Sequence, residues 1–74
     1  TKNELRIMHC LFQNRNSIVS REKLMQHMWD CDAFVDDNTL TVNINRLRKK
    51  LEYVGLSDFI ETRRGLGYIV YENQ

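Results

Sequence analysis

The sequence has no proline, three glycines, two cysteines and one tryptophan in 74 residues. It has no repeats and no low-complexity tract, so nothing in it reads as a linker, and the length leaves room for one domain spanning 1–74. A chain this short buries only about 60% of its unfolded surface, which predicts a small core and marginal stability. No stretch approaches the roughly 20 apolar residues of a membrane span, so no membrane partner is expected. No basic-then-apolar leader marks secretion. Cys10 and Cys31 are too few and too unpatterned for a disulfide framework or a zinc site. That predicts a reducing, cytoplasmic setting with no metal and no cofactor. His9 and Cys10 are sequence neighbours and point apart on a helix, and His27 and Cys31 belong to no tetrad of ligands. The "GLG" at 65–67 opens no helix and is turn chemistry, not a nucleotide loop. Nothing here supports an enzyme.

What is present is the mix of an ordinary globular domain, 42% hydrophobic and 28% charged. The net charge of +1 hides a segregation. Residues 30–37, "DCDAFVDD", hold four aspartates and no base, and residues 46–50, "RLRKK", hold four bases and no acid. Two adjacent blocks of opposite sign suggest two surfaces with different partners.

"TKNE" reads as a capping box from Thr1 to Glu4, opening a helix over about 2–14. At about 100° per residue, Leu5, Met8 and Phe12 share one face, and Ile7, Cys10 and Leu11 form a second apolar stripe. The first stripe is expected to face the core. The second is expected to stay uncovered, as if a piece of protein preceding Thr1 were missing. Ser20 caps a second helix, "REKLMQHMW", with Leu24, Met25 and Met28 inward. Asp36 or Asp37 caps a third, over about 37–54, with Leu40, Ile44, Leu47, Leu51 and Val54 as its buried stripe. Gly55 ends it, with Leu56 placed to touch Leu51 in a Schellman cap. "FIETRRGLGYIVYE" reads as a β-hairpin turning at its glycines.

The third helix carries the functional signal. With its apolar stripe inward, Asn38, Val42, Asn45, Arg46, Lys49 and Tyr53 project outward. Thr41 and Arg48 lie on one flank, and Thr39 and Asn43 on the other. This face holds no acid until Glu52, and "NTLTVNIN" uses mediocre helix formers where a solvated helix would favour Glu and Lys. The major groove of DNA accounts for that choice. Arg46 suits guanine O6 and N7, the threonines and asparagines suit single polar edges, and Val42 suits a thymine methyl. Arg48 and Lys49 would sit over phosphates. A lone exposed valine would mean little. The combination with clustered cations and a glycine-rich hairpin carrying Arg63 and Arg64 is more specific. The competing reading is a winged-helix protein-interaction module that does not bind DNA, with the acidic loop as its working surface.

The segments "SREKLMQHMW", "VDDNTLTVNINRLRKKLE" and "IETRRGLGYIV", in the order helix, helix, loop, basic helix, hairpin, resemble the OmpR/PhoB family, the output domains of two-component response regulators. The resemblance runs from Thr1 to about Tyr71. Within the family, "DDNTLTVNINRLRKKL" looks like the BceR/GraR-like branch, which responds to bacitracin and cationic antimicrobial peptides. The resemblance implies an α+β winged helix-turn-helix: three helices followed by a C-terminal β-hairpin wing, here without the family's N-terminal sheet. It implies sequence-specific double-stranded DNA binding and transcription regulation at the end of a phosphorelay. Thr39, Thr41, Val42 and Arg46 match base-reading positions. Arg21, Trp29, Asn43, Asn45, Arg48, Lys49, Thr62 and Tyr68 match positions at the DNA backbone. Asn45 departs from the arginine that several members have. Arg64 matches the wing arginine of the minor groove. Asp30, Asp32 and Phe34 fall in the loop that faces RNA polymerase. The implied partners are direct-repeat half-sites bound head to tail as a dimer, and a histidine kinase acting through a receiver domain that is not in this sequence.

Overall fold

The computed structural model describes residues 2–29 and 35–72. Three helices, α1 (Lys2–Gln13), α2 (Arg21–Trp29) and α3 (Asp37–Tyr53), precede two strands, β1 (Ile60–Arg63) and β2 (Gly67–Val70). The strands form an antiparallel hairpin with Ile60 opposite Val70 and Arg63 opposite Gly67. All three helices pack on one another, and α1 also packs on β2. Thr1 lies outside the described residues, and so does its half of the expected capping box.

The core is built from Ile7, Cys10 and Leu11 of α1, Leu24 and Met28 of α2, Leu40, Ile44 and Leu47 of α3, and Ile60, Tyr68 and Val70 of the hairpin. Each large aliphatic side chain placed here contributes about 1.5–3 kcal/mol. The orientation of α1 is the reverse of the sequence expectation. Ile7, Cys10 and Leu11 are fully buried, Leu5 is 74% and Phe12 49% exposed, and only Met8 of that stripe packs against the core. Both stripes have helical spacing, so periodicity could not choose between them. Glu4 sits on the buried stripe and argues against it as a core face. Here that carboxylate is compensated by the Lys50 ammonium of α3, 2.7 Å away. An ion pair between two elements lets a buried acid belong to the core. Cys10 is therefore not an accessible thiol, and burial pushes its pKa up against a weaker opposing effect of the Lys23 charge.

The helix ends follow their side chains. The Lys23 amide donates to Ser20 Oγ at 3.1 Å, opening α2. The Thr39 amide and hydroxyl donate to Asp36 Oδ1 at 2.8 and 2.7 Å, opening α3. These bonds, the backbone one first, hold the Asp36 carboxyl below the usual aspartate range. At the far end Gly55 takes φ +90° and the Leu56 amide donates to the Leu51 carbonyl at 2.8 Å, as in a Schellman cap. Val54, expected inward, is 67% exposed because the helix closes at Tyr53 and the cap turns the chain away.

One packing feature fixes the hairpin against the helices. The Val19 amide donates to the Tyr68 carbonyl at 2.8 Å, and the Tyr68 amide donates back at 2.9 Å, so the residues before α2 pair with β2. The approach is close enough that a Cβ on Gly67 would lie 2.0 Å from the Val19 carbonyl oxygen. Gly67 also has φ +147°, so both space and backbone require glycine.

Candidate nucleic-acid interface

The outward face of α3 combines Thr41, Val42, Asn45, Arg46 and Lys49, all exposed, with Val42 at 38%. Asn43 departs from its expected flank position. It is buried at 6%, and its amide turns back to donate to the Thr39 carbonyl at 2.9 Å, one helical turn earlier. Thr39 is half-buried and its hydroxyl proton is engaged by Asp36, which leaves only its lone pairs open. The side chains of Arg46, Asn45 and Lys49 make no hydrogen bond or ion pair to any described residue.

The flanks of this face are held by two arginines that are spoken for. Arg21 donates from Nε to Asp37 Oδ1 at 3.0 Å and from Nη1 to the Tyr68 hydroxyl at 2.6 Å. Its Nη2 donates to the Asp37 carbonyl and to Thr41 Oγ1, both at 2.9 Å. Burial works against the charge of this guanidinium. The Asp37 bond and the neighbouring Tyr68 outweigh it and raise the Arg21 pKa above its ordinary value. Arg48 donates to the Ile60 carbonyl at 3.2 and 3.0 Å and to Thr62 Oγ1 at 2.6 Å. Both guanidiniums lie against the Tyr68 ring, 5.7 and 5.8 Å from its centroid, a distance at which the ring quadrupole attracts a cation. Tyr68 is 5% exposed, so its ring belongs to the core while its hydroxyl ends at this junction. A cleft of about 450 Å³ runs between the start of α2 and the wing, past Arg21, Asp37, Thr62, Gly65 and Tyr68.

Arg64 is exposed at the tip of the hairpin beside Gly65, whose φ of +72° makes the turn. Trp29 ends α2 and is 59% exposed. Asp30, Asp32 and Phe34 lie outside the described residues. Sequence reasoning named Arg21, Thr41, Arg48, Thr62 and Tyr68 singly. It missed that two arginines join them, and it missed Asp37 as the acid that anchors Arg21. It also missed Gly67, for which a signal existed: a glycine inside a strand marks a close backbone approach.

Residues 1–70 match the family described as "Transcriptional regulatory protein, C terminal". The sensory transduction protein BceR of Bacillus subtilis (strain 168) is 54% identical over 72 residues, covering 97% of this chain and 31% of that protein. The response regulator protein GraR of Staphylococcus aureus (strain MRSA252) is 50% identical over 72 residues, 97% of this chain and 32% of that protein. The chain thus spans about a third of the length of the curated relatives it matches. Among solved structures, the C-terminal domain of the nisin resistance regulator NsrR, a lantibiotic response regulator, superposes with a TM-score of 0.82 at 41% identity. That match covers 95% of this chain and 70% of that one. The DNA-binding domain of the response regulator AdeR, solved in complex with an intercistronic region, gives a TM-score of 0.85 at 26% identity over 99% of this chain and 75% of that one. No helix among the described residues is long and apolar enough to cross a membrane. With three packed helices, a hairpin wing and the family match over residues 1–70, the chain belongs to the OmpR/PhoB-type C-terminal DNA-binding domains of response regulators that regulate transcription.

Proposed function

We propose that this domain reads specific duplex DNA by laying α3 in the major groove and the hairpin tip in the adjacent minor groove. The observation that carries the reading is the outward face of α3. Arg46 and Lys49 stand there without internal partners, beside Val42, Thr41 and Asn45 and with no acid among them. An unpartnered guanidinium next to an exposed methyl pair suits the guanine acceptors and thymine methyl of a major-groove edge better than it suits water. In this reading Arg46, Thr41, Val42 and the lone pairs of Thr39 meet bases. Asn45, Lys49, Trp29, Thr62, Tyr68 and the flanks of Arg21 and Arg48 line the phosphates, and Arg64 enters the minor groove. Asn43, turned inward, has no part in it.

The same reading extends to the whole regulator. The domain works in the cytoplasm as the output of a longer protein whose receiver domain is phosphorylated by a histidine kinase. Two copies bind direct repeats head to tail, and the acidic loop with Asp30, Asp32 and Phe34 meets RNA polymerase. The exposed Leu5 and Phe12 of α1 receive the small antiparallel sheet with which the family begins. The similarity to the nisin resistance regulator, a lantibiotic response regulator, supports a stimulus among peptide antibiotics. The domain has no catalytic role of its own.

The test is selection of bound sequences from random duplex DNA, followed by a salt titration on the best one. The expected result is two half-sites in direct repeat and a log–log salt slope of several units, since phosphate contacts release counterions. Recovery of no preferred sequence, with binding that salt does not weaken, would return the domain to a protein-interaction role.

A further inference from the structure

The bonds around Arg21 determine more than shape. A threonine hydroxyl has one proton to donate and two lone pairs to accept with. At Thr41 one lone pair is taken by the Arg21 guanidinium, 2.9 Å away. That guanidinium is itself held in register by three further bonds, two to Asp37 and one to Tyr68. A positive donor on the oxygen draws electron density from it, which strengthens the remaining O–H as a donor and weakens the oxygen as an acceptor, because neighbouring hydrogen bonds polarise one another. Thr41 is exposed on the outward side of α3, so the proton is free to point away from the protein. The neighbouring hydroxyls follow the same pattern. Tyr68 accepts from Arg21 and Thr62 accepts from Arg48, each at 2.6 Å. Each accepts from a guanidinium and keeps its own proton to donate, the polarity that a phosphate oxygen requires.

We propose that Arg21 is a specificity-determining residue for DNA recognition: by occupying one of the two acceptor sites of Thr41 it biases that hydroxyl toward donating, so that α3 favours a base edge offering an acceptor over one offering an amino group. The inference rests on the reading that Thr41 faces a base, and deepens it. The edges that suit are guanine O6 and N7, adenine N7 and thymine O4; the amino groups of cytosine N4 and adenine N6 are the ones opposed. Arg21 acts through Thr41 and touches no base itself. It is a positioning residue whose removal changes what is read, not only how tightly.

The experiment is sequence selection with the wild-type chain, Thr41→Val, Arg21→Lys and the double variant, each scored per folded molecule. Thr41→Val removes the hydroxyl at constant shape and identifies the base pair concerned by flattening preference there. Arg21→Lys is expected to relax preference at that same base pair by about three- to tenfold, the range of one net hydrogen bond, with other positions keeping their order. The double variant is expected to match Thr41→Val alone. A second measurement leaves Arg21 in place. A base analogue that deletes the major-groove acceptor at that base pair should weaken wild type about three- to tenfold and leave Thr41→Val unchanged. Equal weakening of all sequences by Arg21→Lys, with the preference profile intact, would reduce Arg21 to a phosphate contact and overturn the inference. So would indifference of the wild type to the acceptor-deleting analogue. If Thr41→Val leaves every preference unchanged, Thr41 reads no base, and the proposed reading of that residue falls together with the inference.

Discussion

Two sets of cations share one surface of this domain, and they are treated differently. Arg21 and Arg48 are tied down on carbonyls, hydroxyls, a carboxylate and the Tyr68 ring. The side chains of Arg46, Lys49 and Arg64 bond to no described residue. The tied pair joins four elements, α2 to α3 and β2 through Arg21, and α3 to β1 through Arg48. A forked guanidinium can make several such bonds at fixed angles, which a lysine cannot. The free set keeps its full hydrogen-bonding capacity for a partner. The difference shows how a domain with a net charge of only +1 can still present a cationic outward face. Part of its positive charge holds the helix and wing in relative position, part is paired with acids elsewhere, as Lys50 is with Glu4, and Arg46, Lys49 and Arg64 are left uncompensated where they face outward.

The comparison can be tested at the joint on which the tied set depends. Gly67→Ala drives a Cβ into the Val19 carbonyl and forces a residue with a side chain to φ +147°. Overpacking and a disallowed backbone angle together should cost about 3 kcal/mol or more, read as a large drop in denaturation midpoint. Next in size, Arg21→Ala should lower stability by about 1–2 kcal/mol. It leaves Asp37, Tyr68 and Thr41 without a charged donor, discounted for the partial exposure of the pair. Lys49→Ala should leave stability within about 0.5 kcal/mol and instead reduce the salt slope of DNA binding by about one unit. If the two changes traded effects, the division into tied and free cations would be wrong. Smaller again, Arg64→Ala should lower affinity most for sites whose flanks are A·T tracts, where a narrow minor groove attracts arginine. Equal loss with G·C flanks would remove the wing from minor-groove readout.

The smallest effect concerns the cap that starts α3. Thr39 holds the Asp36 carboxyl below the usual aspartate range, so its folded pKa is below its unfolded one. The stability this lends is present above the ordinary aspartate pKa of about 3.9 and is lost as pH falls through the lower folded value. Asp36→Asn keeps a capping oxygen and removes the titration. A thermal melt series from pH 7 to pH 3 should show the variant losing less stability than the parent. Parallel losses would show that the cap does not titrate with folding.

Much of this was legible in the sequence where a local rule has a single answer. Ser20, Asp36 and Gly55 act at helix ends, where the stereochemistry of capping is decided within a few residues. The spacing of Leu40, Ile44 and Leu47 allowed one inward face. The hairpin followed from β-prone runs around glycines. What could not be read was set at a distance. Helix α1 offered two stripes of equal period, and the one that is buried is the one that packs with α2, α3 and the hairpin, its Glu4 compensated by Lys50 of α3, far along the chain. Asn43 turned inward because a carbonyl of its own helix was within reach. Arg21 and Arg48 looked like surface cations because their partners, Asp37, Tyr68, Thr41, Ile60 and Thr62, come together only when the wing folds back on α2 and α3.

Whether the free cations of α3 read sequence is tested most directly at Arg46. Binding of wild type and Arg46→Ala is measured by titration against the selected site and every single base-pair variant of it, with thermal melts as a control for folding. Arg46 has no internal partner, so the melting temperature should stay within the small range expected of a surface change. A bidentate arginine–guanine contact would make the substitution cost about 1–3 kcal/mol on the selected site and erase discrimination at one base pair. Uniform weakening across all variants, with discrimination intact at every position, would contradict the account and leave Arg46 as a contact to the phosphate backbone.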